Sequence, residues 1–337
     1  MKTTDFITFA RLFHKERYDA QEIAWRTLYN NLSRLRSFES FCKEGRFEMH
    51  EVDAALLQNY KQWCMFNGNV TSTINQKLMP LIQYLKRAQE QGLMEEKSLK
   101  GLTIFCHRPK HYGEQAQRLP RTGGERVRYL TDSQMSALVT YYQGIRQCSR
   151  KLALELFLFS FHACGLRVSD IVTLEWTHID FGRCLLSKML VKTKAPLTIP
   201  LSAQALEILG RWRALGKNGR FVFDLLPEEF DLTDDVALSK AIDYRNRVLR
   251  HSLNKVGRIL GLSFPLGMHV ARHSFAVKAL NSSHVNVHLI SHLLGHTSVL
   301  VTEKVYATFL LPTLSEELRE HLSFPEYSIT NRKQLFK

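Results

Sequence analysis

The segment Leu185-Leu-Ser-Lys-Met-Leu-Val-Lys-Thr-Lys-Ala-Pro-Leu-Thr-Ile199 decides the fold class of this 337-residue chain. Its apolar residues form short runs on either side of Lys192-Thr-Lys194-Ala-Pro196, as in two strands joined by a tight turn. With Ile179 upstream, the segment predicts three short strands of one small antiparallel sheet. Elsewhere the apolar residues recur at helical spacing, so we predict a mainly α chain with this sheet in its C-terminal half.

Helical patterns surround the predicted sheet. Thr131 and Asp132 form a helix-start signal, and a strongly apolar helix is expected at about 150–163. After the sheet, further helices are predicted at about 202–215, 236–260, 267–281, 286–294 and 298–306.

The N-terminal region predicts a purely helical module. Three stripes of apolar residues at helical spacing run over 28–38, 56–63 and 74–88, the last with Thr71 or Ser72 as its expected N-cap. We expect these stripes to form the core of a four- or five-helix domain. They contain no catalytic constellation.

Composition limits the class of protein. Forty-six Lys and Arg against 32 Asp and Glu give a net charge of +14, which favours a polyanionic partner. No apolar run is long enough for a membrane span, and the N-terminus lacks the pattern of a secretory signal. Six scattered cysteines without a C-x-x-C pair exclude a zinc ribbon. We therefore expect a cytoplasmic protein without a membrane partner.

Charge and composition also predict the domain boundaries. Residues 106–130 hold six basic and two acidic side chains among Pro and Gly, a composition typical of a linker. Either this linker closes around a nucleic-acid duplex or it is only a solvated tether. We predict a helical domain at 1–105, a basic linker at 106–129, a second domain at 130–311 and a tail at 312–337. The candidate DNA-binding residues are Arg118, Arg121, Arg126, Arg128 and Lys194.

Four short constellations of the second domain carry chemistry. They are Ala163-Cys-Gly-Leu-Arg167-Val-Ser-Asp170, then Lys192 in the hairpin turn, then His269-Val-Ala-Arg272-His273, then Leu293-Leu-Gly-His296 with Tyr306 ten residues later. Each one alone is weak, since a solvated lysine or an ordinary His–Arg pair fits it equally well. Their joint occurrence in this order is highly specific.

Over residues 19–311 this set resembles the tyrosine recombinase (phage integrase) family, whose catalytic domain follows a helical, SAM-like core-binding domain. The resemblance implies a site-specific recombinase that cleaves and rejoins DNA through a covalent 3′-phosphotyrosine. It implies catalytic positions at Arg167, Lys192, His269, Arg272, His296 and Tyr306. It implies supporting positions at Asp170 and His273.

The chemistry of a phosphodiester explains these residue types. Arg167 and Arg272 can hold both nonbridging oxygens by bidentate hydrogen bonds and keep their charge. Tyr306 is a weak nucleophile with a pKa of about 10 and needs a base, for which His269 is the candidate.

Two further side chains complete the predicted reaction. Lys192 protonates the departing 5′ oxygen, and His296 donates a hydrogen bond to the phosphate. Because the phosphotyrosine stores the energy of the broken bond, the reaction needs neither ATP nor a metal, and we predict no cofactor.

The distance from His296 to Tyr306 is one residue longer than the commonest family spacing. One residue rotates a helical side chain by roughly 100°. We therefore expect the extra residue to be absorbed in a turn at 297–299, so that Tyr306 faces Arg167 and Arg272.

A histidine stripe offers a competing interpretation. His284, His288, His292 and His296 follow i, i+4 spacing, which would suit metal ligands on one helix face. There is no H-E-x-x-H, and no acidic residue lies between Asp243 and Glu303 to orient such ligands. We predict no metal site, and of these four histidines we expect only His296 to have a catalytic role.

Partners and alternative functions follow from the same residues. We expect double-stranded DNA with paired recombination sites, bound by a homo-tetramer in which the tail at 312–337 packs on a neighbouring copy. A type IB topoisomerase would share the chemistry but act as a monomer. A non-enzymatic DNA-binding regulator is disfavoured because each expected catalytic position is filled, and a metal-dependent nuclease would need an acidic cluster.

Overall fold

The computed structural model describes residues 5–42, 48–94, 127–281, 286–303 and 305–306. The chain divides into two units, one of residues 1–112 with 233–239 and one of residues 113–232 with 240–337. Both are mainly helical, and the second also holds a small sheet, which confirms the predicted fold class.

The first unit is a helical module around an aromatic core. Its helices are α1 (Phe6–Asp19), α2 (Trp25–Phe41), α3 (Ala54–Phe66) and α4 (Thr71–Glu90), with a 3₁₀ turn at Met49–Glu51. The largest buried side chains are those of Phe6, Phe38, Tyr60 and Tyr84.

Two details of this unit differ from the sequence-based expectation. Helix α1 precedes the predicted stripes, and its N-cap Asp5 accepts a hydrogen bond from the Thr8 N–H at 2.8 Å. The prediction that Thr71 or Ser72 caps α4 was wrong. The N-cap is Val70, whose side chain offers no acceptor, and Thr71 is already helical.

The second unit surrounds the sheet with seven described helices and a further helical stretch at 299–303 and 305–306. The helices are α5 (Asp132–Gly144), α6 (Ser149–His162), α7 (Val168–Val172), α8 (Ala203–Leu215), α9 (Asp235–Ile259), α10 (Met268–Leu280) and α11 (Val287–Leu293). Residues 235–239 of α9 are grouped with the first unit. Helix α6 is buried over 153–160, as expected of a helix that is apolar on all sides. It packs against α10, and together they position the site.

The sheet has the predicted three antiparallel strands in the order β1-β2-β3. They are β1 (Ile179–Asp180), β2 (Leu185–Met189) and β3 (Pro196–Pro200), with Leu186 opposite Ile199. Alternate residues of β2 and β3 face the core. The turn between them carries Lys192. Within the described parts of the chain, no helix is long and apolar enough to cross a membrane.

Candidate active site

The first constellation places Arg167 at the start of a helix. After α6 the backbone turns through Cys164 and Gly165, both with positive φ, and Arg167 is the N-cap of α7. A Cβ on Gly165 would lie 3.1 Å from both Arg272 Cγ and Leu294 Cδ2. A glycine is therefore required both by the left-handed backbone and by the close approach of Arg272.

The two arginines are held by backbone carbonyl groups of the other motifs, Arg272 by the Arg167 motif and both by the motif that ends at His296. Arg272, which is 7% exposed on α10, donates from Nη1 to Gly165 O at 2.9 Å and from Nη2 to Leu294 O. Arg167 donates from Nη2 to Gly295 O at 3.3 Å. Hydrogen bonds from the guanidinium groups thus join the motifs of Arg167, Arg272 and His296 to one another.

Neither Arg167 nor Arg272 forms an ion pair with a described residue. Arg167 Nη1 is buried and, within the described residues, has no hydrogen-bond partner. Burial, and then the charge of Arg167, lowers the pKa of Arg272 to about 10, so Arg272 remains charged at neutral pH. Two unpaired guanidinium groups with a donor to spare make a site for an anion such as a phosphodiester.

Tyr306 lies beside His273. The hydroxyl oxygen and His273 Nδ1 are 2.6 Å apart, and the tyrosine is 1% exposed. Burial raises the pKa of Tyr306 to about 12, although the charge of Arg272 opposes this shift. Burial, His269 and Arg272 lower the pKa of His273 to about 4, so its imidazole is neutral at pH 7. A neutral imidazole at this distance can accept a hydrogen bond from the phenol in the tautomer whose Nδ1 carries no proton.

This pairing differs from the sequence-based assignment, which made His269 the base and His273 a supporting residue. Both histidines lie on α10, with ring centroids 6.3 Å apart. Desolvation, followed by the charges of Arg272, Lys192 and Arg167, lowers the pKa of His269. His269 therefore belongs to the same site, but its role as the base stays a prediction.

The remaining predicted residues surround this centre. His296 Nδ1 lies 2.7 Å from the hydroxyl of the buried Thr302, and burial, with the charges of Arg272, Arg167 and Lys192, lowers the pKa of His296 to about 4. Lys192 is exposed in the hairpin turn. Residues 297–298 are not helical, whereas Val299 is already helical. That the extra residue before Tyr306 is absorbed in this turn stays a prediction.

Comparison with known proteins identifies the family. The phage integrase family matches residues 128–310, and the phage integrase SAM-like domain matches residues 5–105. This chain belongs to the phage integrase family.

Individual relatives are distant. The tyrosine recombinase XerC of Ralstonia pickettii is 29% identical over 157 residues, which cover 42% of this chain and 45% of that protein. The chain thus spans about half the length of this curated relative. The integrase of transposon Tn1549, solved with transposon right end DNA, superposes with a TM-score of 0.68 at 14% identity, covering 95% of this chain and 100% of that one. A lambda integrase tetramer bound to a Holliday junction gives a TM-score of 0.58 at 16% identity, covering 88% and 78%.

Two of the five predicted DNA-binding residues lie in the part of the chain that the structure describes. Arg118, Arg121 and Arg126 lie outside the described residues, whereas Arg128 and Lys194 are exposed. Their contacts with DNA stay a prediction.

The histidine stripe of this chain is not one helix face. Helix α11 contains only His288 and His292, and His296 follows Gly295, whose φ is +61°. His284 lies outside the described residues. Among the residues that are described, no three His, Cys, Asp or Glu side chains are grouped to hold a metal ion.

Sequence reasoning did not single out Lys188, which is buried. Lys188 carried a detectable signal, because a lysine occupies an inward-facing position of a strand that alternates. The contact of the buried Thr302 with His296 was not predicted, since it depends on where His296 folds back.

Proposed function

We propose that this protein is a site-specific DNA recombinase that cleaves and rejoins strands through a covalent 3′-phosphotyrosine. The observation that carries the proposal is the convergence of two guanidinium groups, neither ion-paired to a described residue, with a buried tyrosine hydroxyl that lies 2.6 Å from a neutral imidazole. Family membership supports it.

The proposed cleavage step breaks one bond and forms another. Arg167 and Arg272 hold the nonbridging oxygens while the Tyr306 oxygen attacks phosphorus. The bond to the 5′ oxygen breaks, and Lys192 gives that oxygen a proton. Attack by the 5′ hydroxyl of a partner strand reverses these transfers and releases Tyr306, so neither ATP nor a metal is needed.

The proton of Tyr306 has two candidate acceptors. His273 already lies against the hydroxyl, whereas His269 is the base implied by the family resemblance. We assign the holding of the hydroxyl to His273 and the base role to His269 when DNA is bound. Replacing each by alanine and following cleavage against pH tests this division. Loss of the acidic limb only in His273→Ala would reverse it.

Two other functions compete with the proposed one. A DNA-binding regulator without activity does not explain why Arg167, Arg272, His296 and Tyr306 are brought together. A type IB topoisomerase shares the chemistry, but it would only relax supercoils. A recombinase exchanges strands between different sites, whereas a topoisomerase does not, and this difference distinguishes them.

The direct experiment uses a supercoiled plasmid with two copies of a binding site selected from a random-sequence duplex library. In buffer with a chelator and without ATP, we expect deletion or inversion of the DNA between the sites. Relaxed topoisomers without exchange would indicate the topoisomerase. Retarded DNA without any strand cleavage would indicate the regulator.

We further propose that four copies assemble on two paired sites, with residues 312–337 packing on a neighbouring copy, in the cytoplasm of a bacterial cell. The tetrameric lambda integrase of similar fold supports the assembly. Removing residues 312–337 is expected to spare DNA binding, measured by gel retardation, and to impair strand exchange. Normal exchange by the truncated protein would rule out docking in trans.

A further inference from the structure

Lys188 is a charged residue at a position where the sheet calls for an apolar one. On β2, Leu186 and Lys188 face the core, whereas Ser187 and Met189 are exposed. Lys188 is only 7% exposed. Burying an ammonium group is costly unless its hydrogen bonds are replaced, so its partners indicate what it does.

All three donors of Lys188 have acceptors. Its Nζ donates to Asp170 O at 2.9 Å, to Thr173 Oγ1 at 2.8 Å and to Thr173 O at 3.2 Å. These acceptors belong to α7 and its C-cap, the short helix whose N-cap is Arg167. Since an ammonium group has three protons, Lys188 has none left for a leaving oxygen.

A second attachment joins the same two elements. Asp170 Oδ1 accepts a hydrogen bond of 2.8 Å from the N–H of Val191, the residue before Lys192. The hairpin is therefore fastened to α7 at two points, Lys188 on the strand and Val191 in the turn. Two attachments restrict the rotation of the hairpin relative to α7 as well as the distance between them.

Electrostatics couple the two attachments. Burial raises the pKa of Asp170, whereas the N–H of Val191 and the charges of Lys188, Arg167 and Arg272 lower it. Burial lowers the pKa of Lys188 to about 8, against the opposing charges of Asp170 and Glu175. Burial, and then the charge of Lys188, lowers the pKa of the nearby His178. The charge of Lys188 favours the ionised form of Asp170, and that form accepts the stronger hydrogen bond from Val191, so Lys188 supports both attachments.

We propose that Lys188 is a positioning residue for DNA cleavage, which fastens the β2–β3 hairpin to α7 and so sets where Lys192 lies relative to Arg167. The inference rests on the proposed function, in particular on Lys192 as the general acid. It predicts that loss of Lys188 impairs proton delivery to the leaving oxygen more than any other part of the reaction.

The test compares two nicked substrates that differ only in the leaving atom, a 5′ oxygen or a 5′ sulfur. A thiolate leaves without a proton, so a defect in delivering the proton disappears on the sulfur substrate. We expect Lys188→Met to cleave the oxygen substrate about ten- to a hundredfold more slowly than the parent. On the sulfur substrate it should cleave within a few-fold of the parent rate. Lys217→Met, at an exposed lysine outside the site, is the control for the loss of one charge.

The outcomes separate the inference from the function on which it rests. If Lys192→Ala is not rescued by sulfur, the proposed acid is wrong. If Lys192→Ala is rescued while Lys188→Met is equally slow on both substrates, Lys188 has only a structural role and the inference is overturned. Should Lys188→Met be unfolded at the assay temperature, the neutral donor variant Lys188→Gln is measured by the same criterion.

Discussion

His14 in the first unit and two cations in the second show different ways of burying a polar side chain. In the first unit, His14 is fully buried, neither ring nitrogen is hydrogen-bonded to a described residue, and its ring lies 4.9 Å from that of Tyr84. In the second unit, Arg272 and Lys188 are buried and donate hydrogen bonds to backbone carbonyl groups. His14 is thus buried as a neutral group, whereas Arg272 and Lys188 are buried as hydrogen-bonded cations.

The largest expected effect comes from the arginines that the second unit holds. Arg167→Lys and Arg272→Lys should bind DNA normally but cleave it about 10²–10³-fold more slowly, because an ammonium group cannot bond a carbonyl and span two phosphate oxygens as a planar fork does. Single-turnover cleavage and fluorescence anisotropy measure the two properties. Arg250→Lys, at an exposed arginine on α9, is the matched control. Cleavage within threefold of the parent would show that the fork is not needed.

The next effect belongs to the first unit and depends on pH. Burial, with the charge of Arg17, lowers the pKa of His14 from 6.5 to about 4. As the pH falls from 6.5 towards 4, the unfolded chain takes up a proton that the folded unit does not. The folded unit is thereby destabilised by up to about 3 kcal/mol.

Hydrogen exchange of the α1 and α4 amides measures the stability of the first unit separately from that of the second. His14→Leu should remove most of the loss of protection between pH 6.5 and 4. An unchanged pH dependence in His14→Leu would mean that other groups cause it.

A smaller effect isolates the contact between two motifs. Gly165→Ala adds a Cβ beside Arg272 at a positive φ, whereas Gly216→Ala adds one at a positive φ with no atom within 4 Å. Strain alone should cost about 1–2 kcal/mol in each. Gly165→Ala should lose more stability than Gly216→Ala in urea unfolding, and it alone should lose cleavage. Equal losses would mean that Arg272 adjusts freely.

The smallest expected effect on the stability of either unit comes from replacing the arginines of the linker. Replacing Arg118, Arg121, Arg126 and Arg128 together by glutamine should leave the free energy of unfolding unchanged. It should flatten the dependence of log affinity on log salt by roughly 0.9 for each lost phosphate contact. An unaltered slope would identify the linker as a solvated tether.

The sequence predicted the second unit better than the first. The sheet and the four constellations followed from local patterns, because strand alternation and the glycine turns are local properties. The pairing of Tyr306 with His273 rather than His269 was not predictable, since it depends on how the chain turns at Gly295 and returns to α10. Helix α1 was missed although Phe6, Phe9, Ala10 and Phe13 have helical spacing. Lys188 was missed because its partners on α7 are distant in sequence.

In the proposed mechanism, the second unit holds its buried charges around one nucleophile, Tyr306. The most direct measurement uses a nicked suicide substrate, which traps the covalent protein–DNA adduct for detection on a denaturing gel. Tyr306→Phe should abolish the adduct, and Tyr327→Phe, at a tail residue outside the described part of the chain, should leave it intact. An adduct that persists in Tyr306→Phe and disappears in Tyr327→Phe would contradict the account.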